Sequence, residues 1–196
     1  MTGGVRAQQR EQTRQVLLLE SRRLFSDLGY ASVGLAEIGR AAGVTKGALY
    51  HHFGSKAEVF RAVLEQVQGE VAVQVAAAAD AREHAWDQLT SGCQAFLTAS
   101  TDPALQRIML VDGPAVLGWR EWRAMNEATS GRHLAEALTV LIAEGSIPDQ
   151  PVAPLTHLLS GAMNEAALWL AASEDAADLE DTRQALARML EALRVG

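Results

Sequence analysis

A single cysteine, Cys93, occurs in the 196 residues, so no internal disulfide forms and no cysteine-based metal site can be assembled. Long apolar runs are missing too. The longest, Ala166–Ala172, falls well short of the roughly 18 residues that a bilayer-spanning helix needs. The first fourteen residues are polar and basic and lack an apolar h-region, which argues against a secretory signal. Strand formers are scarce: 19 Val plus Ile stand against 35 Ala and 25 Leu, and no alternating segments are joined by hairpin turns. No Gly-rich phosphate loop occurs. These absences leave a cytoplasmic, all-α protein with no membrane partner, whose 48% hydrophobic content suffices for a packed core.

Positive charge is also in deficit, with a formal net charge of −7 that taken alone argues against a nucleic-acid partner. Its distribution reverses that conclusion. Residues 1–60 hold eight basic against five acidic side chains, a net of +3, which leaves nine basic against nineteen acidic and a net of −10 beyond them. The basic part begins with Arg6, Arg10, Arg14, Arg22 and Arg23, a face suited to electrostatic steering toward phosphate.

Helical punctuation recurs throughout. Leu17, Leu24, Phe25 and Leu28 share one face of a helix over 8–28, which Gly29 ends as a C′ glycine. Short helices follow over 35–42 and 46–53, the second capped by Thr45. Ser55 and Glu58 have capping-box spacing for a longer helix reaching Ala79. Further helices are expected over 81–100, from the Asp102-Pro103 cap to the Gly113-Pro114 interruption, over 116–144, over 155–172 and over 179–193. That makes about nine. No repeat or flexible linker separates the basic part from the acidic one, so two rigidly joined domains, 1–54 and 55–196, are expected.

The informative stretch is Leu35 to Phe53. Two short helices around Ala42-Gly43-Val44-Thr45 have helix-turn-helix dimensions, with Gly43 at a positive-φ position and Val44, Ile38 and Leu49 packing behind the turn. The outer face then carries Lys46, Gly47, Ala48, Tyr50 and His51, small and basic as a helix entering the major groove requires. Geometry alone does not separate this from two short helices of a plain bundle.

The combination Gly29-Tyr30-Ala31-Ser32, Leu35-Ala36-Glu37-Ile38, Ala41 through Phe53 and Ser55-Lys56 resembles the DNA-binding signature of the tetracycline-repressor (TetR) family. The resemblance implies an N-terminal three-helix helix-turn-helix domain followed by a larger ligand-binding and dimerisation domain. It implies a homodimer on a palindromic double-stranded DNA operator, released by a small molecule. By position, Thr45 and Lys46 would meet phosphate or guanine, Gly47 and Ala48 would permit close approach, and His51 would read a base. Tyr50 and His52 would contact the backbone, and Lys56 would clamp a phosphate. One departure stands out: Val33 and Gly34 occupy the places of the hydroxyl residues that usually precede the first motif helix, with Ser32 as the substitute.

For the larger domain the resemblance points to a pocket among the central helices. Phe96, Met109, Trp122, Met125, His133 and Asn164 are its candidates, set against core packing, and an apolar, partly aromatic effector fits them. The last two helices are the expected dimer interface, through Leu158, Gly161, Ala162 and Leu168 on one and Leu186, Met189, Leu190 and Leu193 on the other. Burial within one subunit is the alternative. No catalytic constellation is expected, because Cys93 has no motif partner and Asp112 and Glu121 show no acid–base spacing. No metal site or other cofactor is expected either: His84, His133 and His157 are dispersed, and His51 and His52 diverge by about 100° on a helix. The rival function is a helical small-molecule carrier or scaffold without sequence-specific DNA binding.

Overall fold

The computed structural model describes residues 2–175 and 177–195. Helix α1 (Thr2–Leu28) starts a turn and a half before the expected Gln8 and buries Leu17, Leu18, Leu24 and Phe25, while Leu28 stays half exposed. Gly29 ends it at φ +80°. Helices α2 (Leu35–Ala41) and α3 (Lys46–His52) follow, then the 25-residue α4 (Lys56–Asp80). Ser55 caps α4 by accepting from the Glu58 amide, but the Glu58 carboxylate accepts from the Gly54 N–H at 2.9 Å rather than from Ser55. The capping box is therefore displaced by one residue.

Helix α4 is the spine. Its Val59, Phe60, Val63, Leu64, Val67 and Val71 are all fully buried, because α1 packs on its first half and α5 (Ala85–Ser100) runs back along its second. Asp102 caps α6 (Pro103–Gln106) with proline at its first position, as expected. The chain then passes without interruption through a π-helical stretch (Arg107–Asp112) into α7 (Gly113–Leu117).

The single helix expected over 116–144 is not formed. Gly118, at φ +78°, stops α7 and starts α8 (Trp119–Glu127). A second break precedes α9 (Ser130–Ala143), where the Thr129 hydroxyl donates to the Met125 and Asn126 carbonyls at 3.1 Å each. Apolar periodicity runs through both breaks, so it could not reveal either. The last two helices are α10 (Val152–Ala172) and α11 (Asp178–Glu191). With residues 103–117 counted as one path, the described residues form ten helices and no strand, one helix more than expected.

Trp122 anchors the centre of the larger half. Its indole N–H donates to the Met109 carbonyl at 2.6 Å, and its ring occupies the space beside Gly113. A Cβ on Gly113 would lie 2.8 Å from Trp122 Cδ1 and 3.1 Å from the Ile108 carbonyl oxygen, so neither the ring nor the backbone leaves room for a methyl. Gly113→Ala should lower unfolding stability by about 1–3 kcal/mol, read as a denaturant midpoint shift at constant slope.

Candidate nucleic-acid interface and interior cavity

The helix-turn-helix is assembled by local signals. Thr45 accepts from the Ala48 amide at 3.2 Å, and the Val44 N–H donates to the Gly39 carbonyl at 2.9 Å. Gly43 turns the chain at φ +66°. Ile38 and Leu49 are buried behind the turn, and Val44 packs against them. Gly39 was missed by sequence reasoning: a Cβ there would sit 3.3 Å from the Val44 carbonyl, so its smallness lets the two helices approach. Val33 is buried, Gly34 caps α2 through its carbonyl alone, and no side chain, Ser32 included, caps that helix.

This packing leaves Lys46, Gly47, Tyr50 and His51 exposed on one face of α3, with Ala48 and His52 partly so. The Lys46 ammonium lies 5.8 Å from the Tyr50 ring centroid. His52 adjoins a groove on α1 lined by Arg6, Arg10 and Arg14. Burial, together with the nearby Arg10, His51 and Arg14 charges, pushes its imidazole below its ordinary pKa of 6.5. The three arginines, with Glu11 among them, thus extend the basic face of α3 onto α1, where a phosphate chain would meet compensating charge.

Lys56 is placed differently from a free clamp. Its Nζ donates to the Tyr30 and Val33 carbonyls at 2.8 Å each and lies 4.0 Å from the Tyr30 ring centroid. It therefore ties the loop after α1 to the first turn of α4. The other side of that loop is held from the π-helical stretch: the Tyr30 N–H donates to Asp112 Oδ2 at 2.9 Å, and Arg107 donates to the Ser26 and Asp27 carbonyls at 3.2 Å each. Phe25, Tyr30 and Phe60 pack as a triangle with ring centroids 5.2–5.7 Å apart.

The larger half holds a half-open cavity of about 310 Å³ between α4, α5, the α8–α9 corner and α10. Phe96 and His133, both expected, line it, together with Val75, Cys93, Asn126 and Ser160. Met109, Trp122, Met125 and Asn164 lie outside the lining. Met109 and Trp122 belong to the packed core around Gly113, Met125 packs against that core, and Asn164 is buried with its carboxamide oxygen unpartnered among the described residues. Burial pushes the Cys93 thiol up to about 12, so it contributes a neutral, small wall.

The expected interface residues separate into two sets. Leu186 and Leu190 are buried inside the subunit where α11 packs on α5, so their stripe is core. Leu168 and Leu193 are partly buried against the same core. Leu158, Gly161, Ala162 and Met189 face outward, and Trp169 joins them; Leu158 is 72% exposed. Among the described residues no helix is long and apolar enough to cross a membrane.

Residues 17–63 match the family described as bacterial regulatory proteins, tetR family, and residues 86–193 match the tetracyclin repressor-like C-terminal domain. A solved TetR-family transcriptional regulator from Pectobacterium atrosepticum is 35% identical, with a TM-score of 0.77 over 96% of this chain and 97% of its own. Among curated relatives, the transcriptional regulator AcrR of Shigella flexneri is 42% identical over 64 residues, 33% of this chain and 30% of its own length. The TetC protein of transposon Tn10 from Escherichia coli is 29% identical over 150 residues, 76% of this chain and 75% of its own. The match to AcrR thus spans under a third of that protein.

Lys56→Met keeps the aliphatic stem but removes the donor to both carbonyls. It should cost roughly 2 kcal/mol of stability, measured by urea unfolding, whether or not DNA is present.

Proposed function

We propose, for a chain that belongs to the TetR family of bacterial regulatory proteins, that it is a transcriptional repressor that binds operator DNA as a homodimer and leaves it on taking up a small molecule. The observation that carries the DNA half of this reading is the exposed face of α3, with Lys46, Tyr50 and His51 presented outward while Ile38 and Leu49 are buried behind it. A carrier or scaffold has no use for such a face; a reader of the major groove does. Thr45 and Lys46 open the recognition helix onto a phosphate or guanine edge. Gly47 and Ala48 let its backbone approach, and His51 points at the bases. Tyr50 and His52, with Arg6, Arg10 and Arg14 of α1, follow the phosphate backbone. Lys56 acts one step back, by fixing the loop that carries α2.

The cavity supports the second half. It touches α4, whose first turn bears Lys56, so a ligand that prefers one position of α4 would change how the α3 helices of a dimer are spaced. No chemistry is proposed for the protein itself; its work is binding.

Two-fold assembly is supported by the outer face of α10, where Leu158 and Trp169 are exposed beside Gly161 and Ala162, residues small enough for close helix approach. Selection of bound fragments from random DNA, followed by mobility shift, tests the whole reading. Lys46→Ala should weaken binding to the selected site by about 10- to 100-fold and reduce the salt dependence by about one phosphate-equivalent. Unchanged binding would overturn the assignment. Leu158→Glu should convert a sedimenting dimer to monomer at micromolar concentration and lower operator affinity with it.

A further inference from the structure

The cavity contains a polar feature that its apolar walls do not account for. Asn126, at the α8–α9 corner, is only 2% exposed and lines the cavity. Gly131 keeps it in place: a Cβ there would sit 3.0 Å from the Asn126 carbonyl oxygen and 3.4 Å from its Oδ1, so any larger residue would press the corner open. On the α10 side Ser160, also buried, lines the same space. A ligand that meets either polar group forms its hydrogen bond beside largely apolar walls, where it is electrostatically stronger than in water.

The charged lining is of one sign. Asp80 and Glu136 stand exposed at the cavity rim, His133 lies 3.7 Å from the Glu136 carboxylate, and no lysine or arginine lines the space. A carboxylate or phosphate entering here would lose hydration and find no lysine or arginine among the lining residues to replace it, Arg132 being turned to Glu136 at 3.9 Å. Most of the remaining wall, including Val75, Cys93 and Phe96, is apolar, with Gln88 and Ser130 as its other polar members.

From these features we infer that the effector is an uncharged one- or two-ring aromatic molecule bearing a hydroxyl or carbonyl group, held by Asn126 and Ser160, and that anionic analogues are rejected. This rests on the reading of the protein as an effector-responsive regulator, and deepens it by assigning the chemistry of the site. The cavity volume of about 310 Å³ lies at the lower end for small-molecule sites, roughly 300–1,000 Å³, which favours a compact molecule over a long acyl chain.

The test compares 2-naphthol, naphthalene and 2-naphthoate on the full chain by calorimetry near neutral pH. The naphthol should bind about tenfold more tightly than naphthalene, and the naphthoate about tenfold more weakly than the naphthol. Asn126→Leu, close in volume, should abolish the preference for naphthol over naphthalene while leaving naphthalene binding in place. Ser160→Ala, which opens no core gap, should reduce the same preference should Asn126→Leu unfold. Glu136→Gln with Asp80→Asn should narrow the gap between naphthol and naphthoate. Absence of binding by all three, tightest binding by the naphthoate, or a naphthol preference that survives both polar variants would overturn the inference. Naphthol binding that leaves operator affinity unchanged would instead overturn the regulatory reading and leave the site chemistry standing.

Discussion

Tyr30 is held on every side, and the orientation of the DNA-reading half depends on that. Its carbonyl receives the Lys56 ammonium from α4, its amide reaches Asp112 on the π-helical stretch, and its ring closes a triangle with Phe25 of α1 and Phe60 of α4. Three separate parts of the chain thus meet at one residue of one loop. A charge-assisted bond to a carbonyl is stronger than a neutral one, and here the cation also sits over an aromatic face. Because α2 follows directly, fixing this loop fixes where α3 presents its outer face.

The same contacts explain why the basic and acidic parts behave as one piece. No linker intervenes between them, and α1 lies against α4 over much of its length, with Arg22 paired to Glu70 at 2.5 Å. The boundary in charge near residue 60 therefore runs along a shared core rather than between two separable bodies. The net positive charge belongs to residues 1–60 and the net negative charge to the residues beyond them, so the average of −7 describes neither part.

The helix-turn-helix was legible in the sequence because its determinants are local. Thr45 and Ser55 cap the helices that follow them, Gly29 and Gly43 hold positive φ, and Ile38 and Leu49 are buried at the expected spacing. The larger half was legible in outline only. Apolar spacing does not register a break made by one glycine at φ +78° or by a threonine hydroxyl turned back on two carbonyls. Nor does it say which layer an apolar stripe faces: Leu186 and Leu190 have the pattern of an intersubunit seam and are spent on α5 instead. Aromatic content misled in the same way. Trp122 fills a niche made by the absence of a side chain at Gly113, whereas the cavity is walled by smaller residues whose positions depend on how four helices converge.

The π-helical stretch gives the joint its particular form. In an α-helix, residues five apart point about 140° away from each other, since each residue turns the chain by about 100°. Arg107 and Asp112 are separated by that interval, yet both reach the same short segment, one at the end of α1 and one at Tyr30. The wider i to i+5 winding brings them onto one side. The grip is therefore a property of how many residues make up the turn. Removing one residue between them would rotate one of the two hands away from the loop while leaving every side chain that forms the grip in the chain.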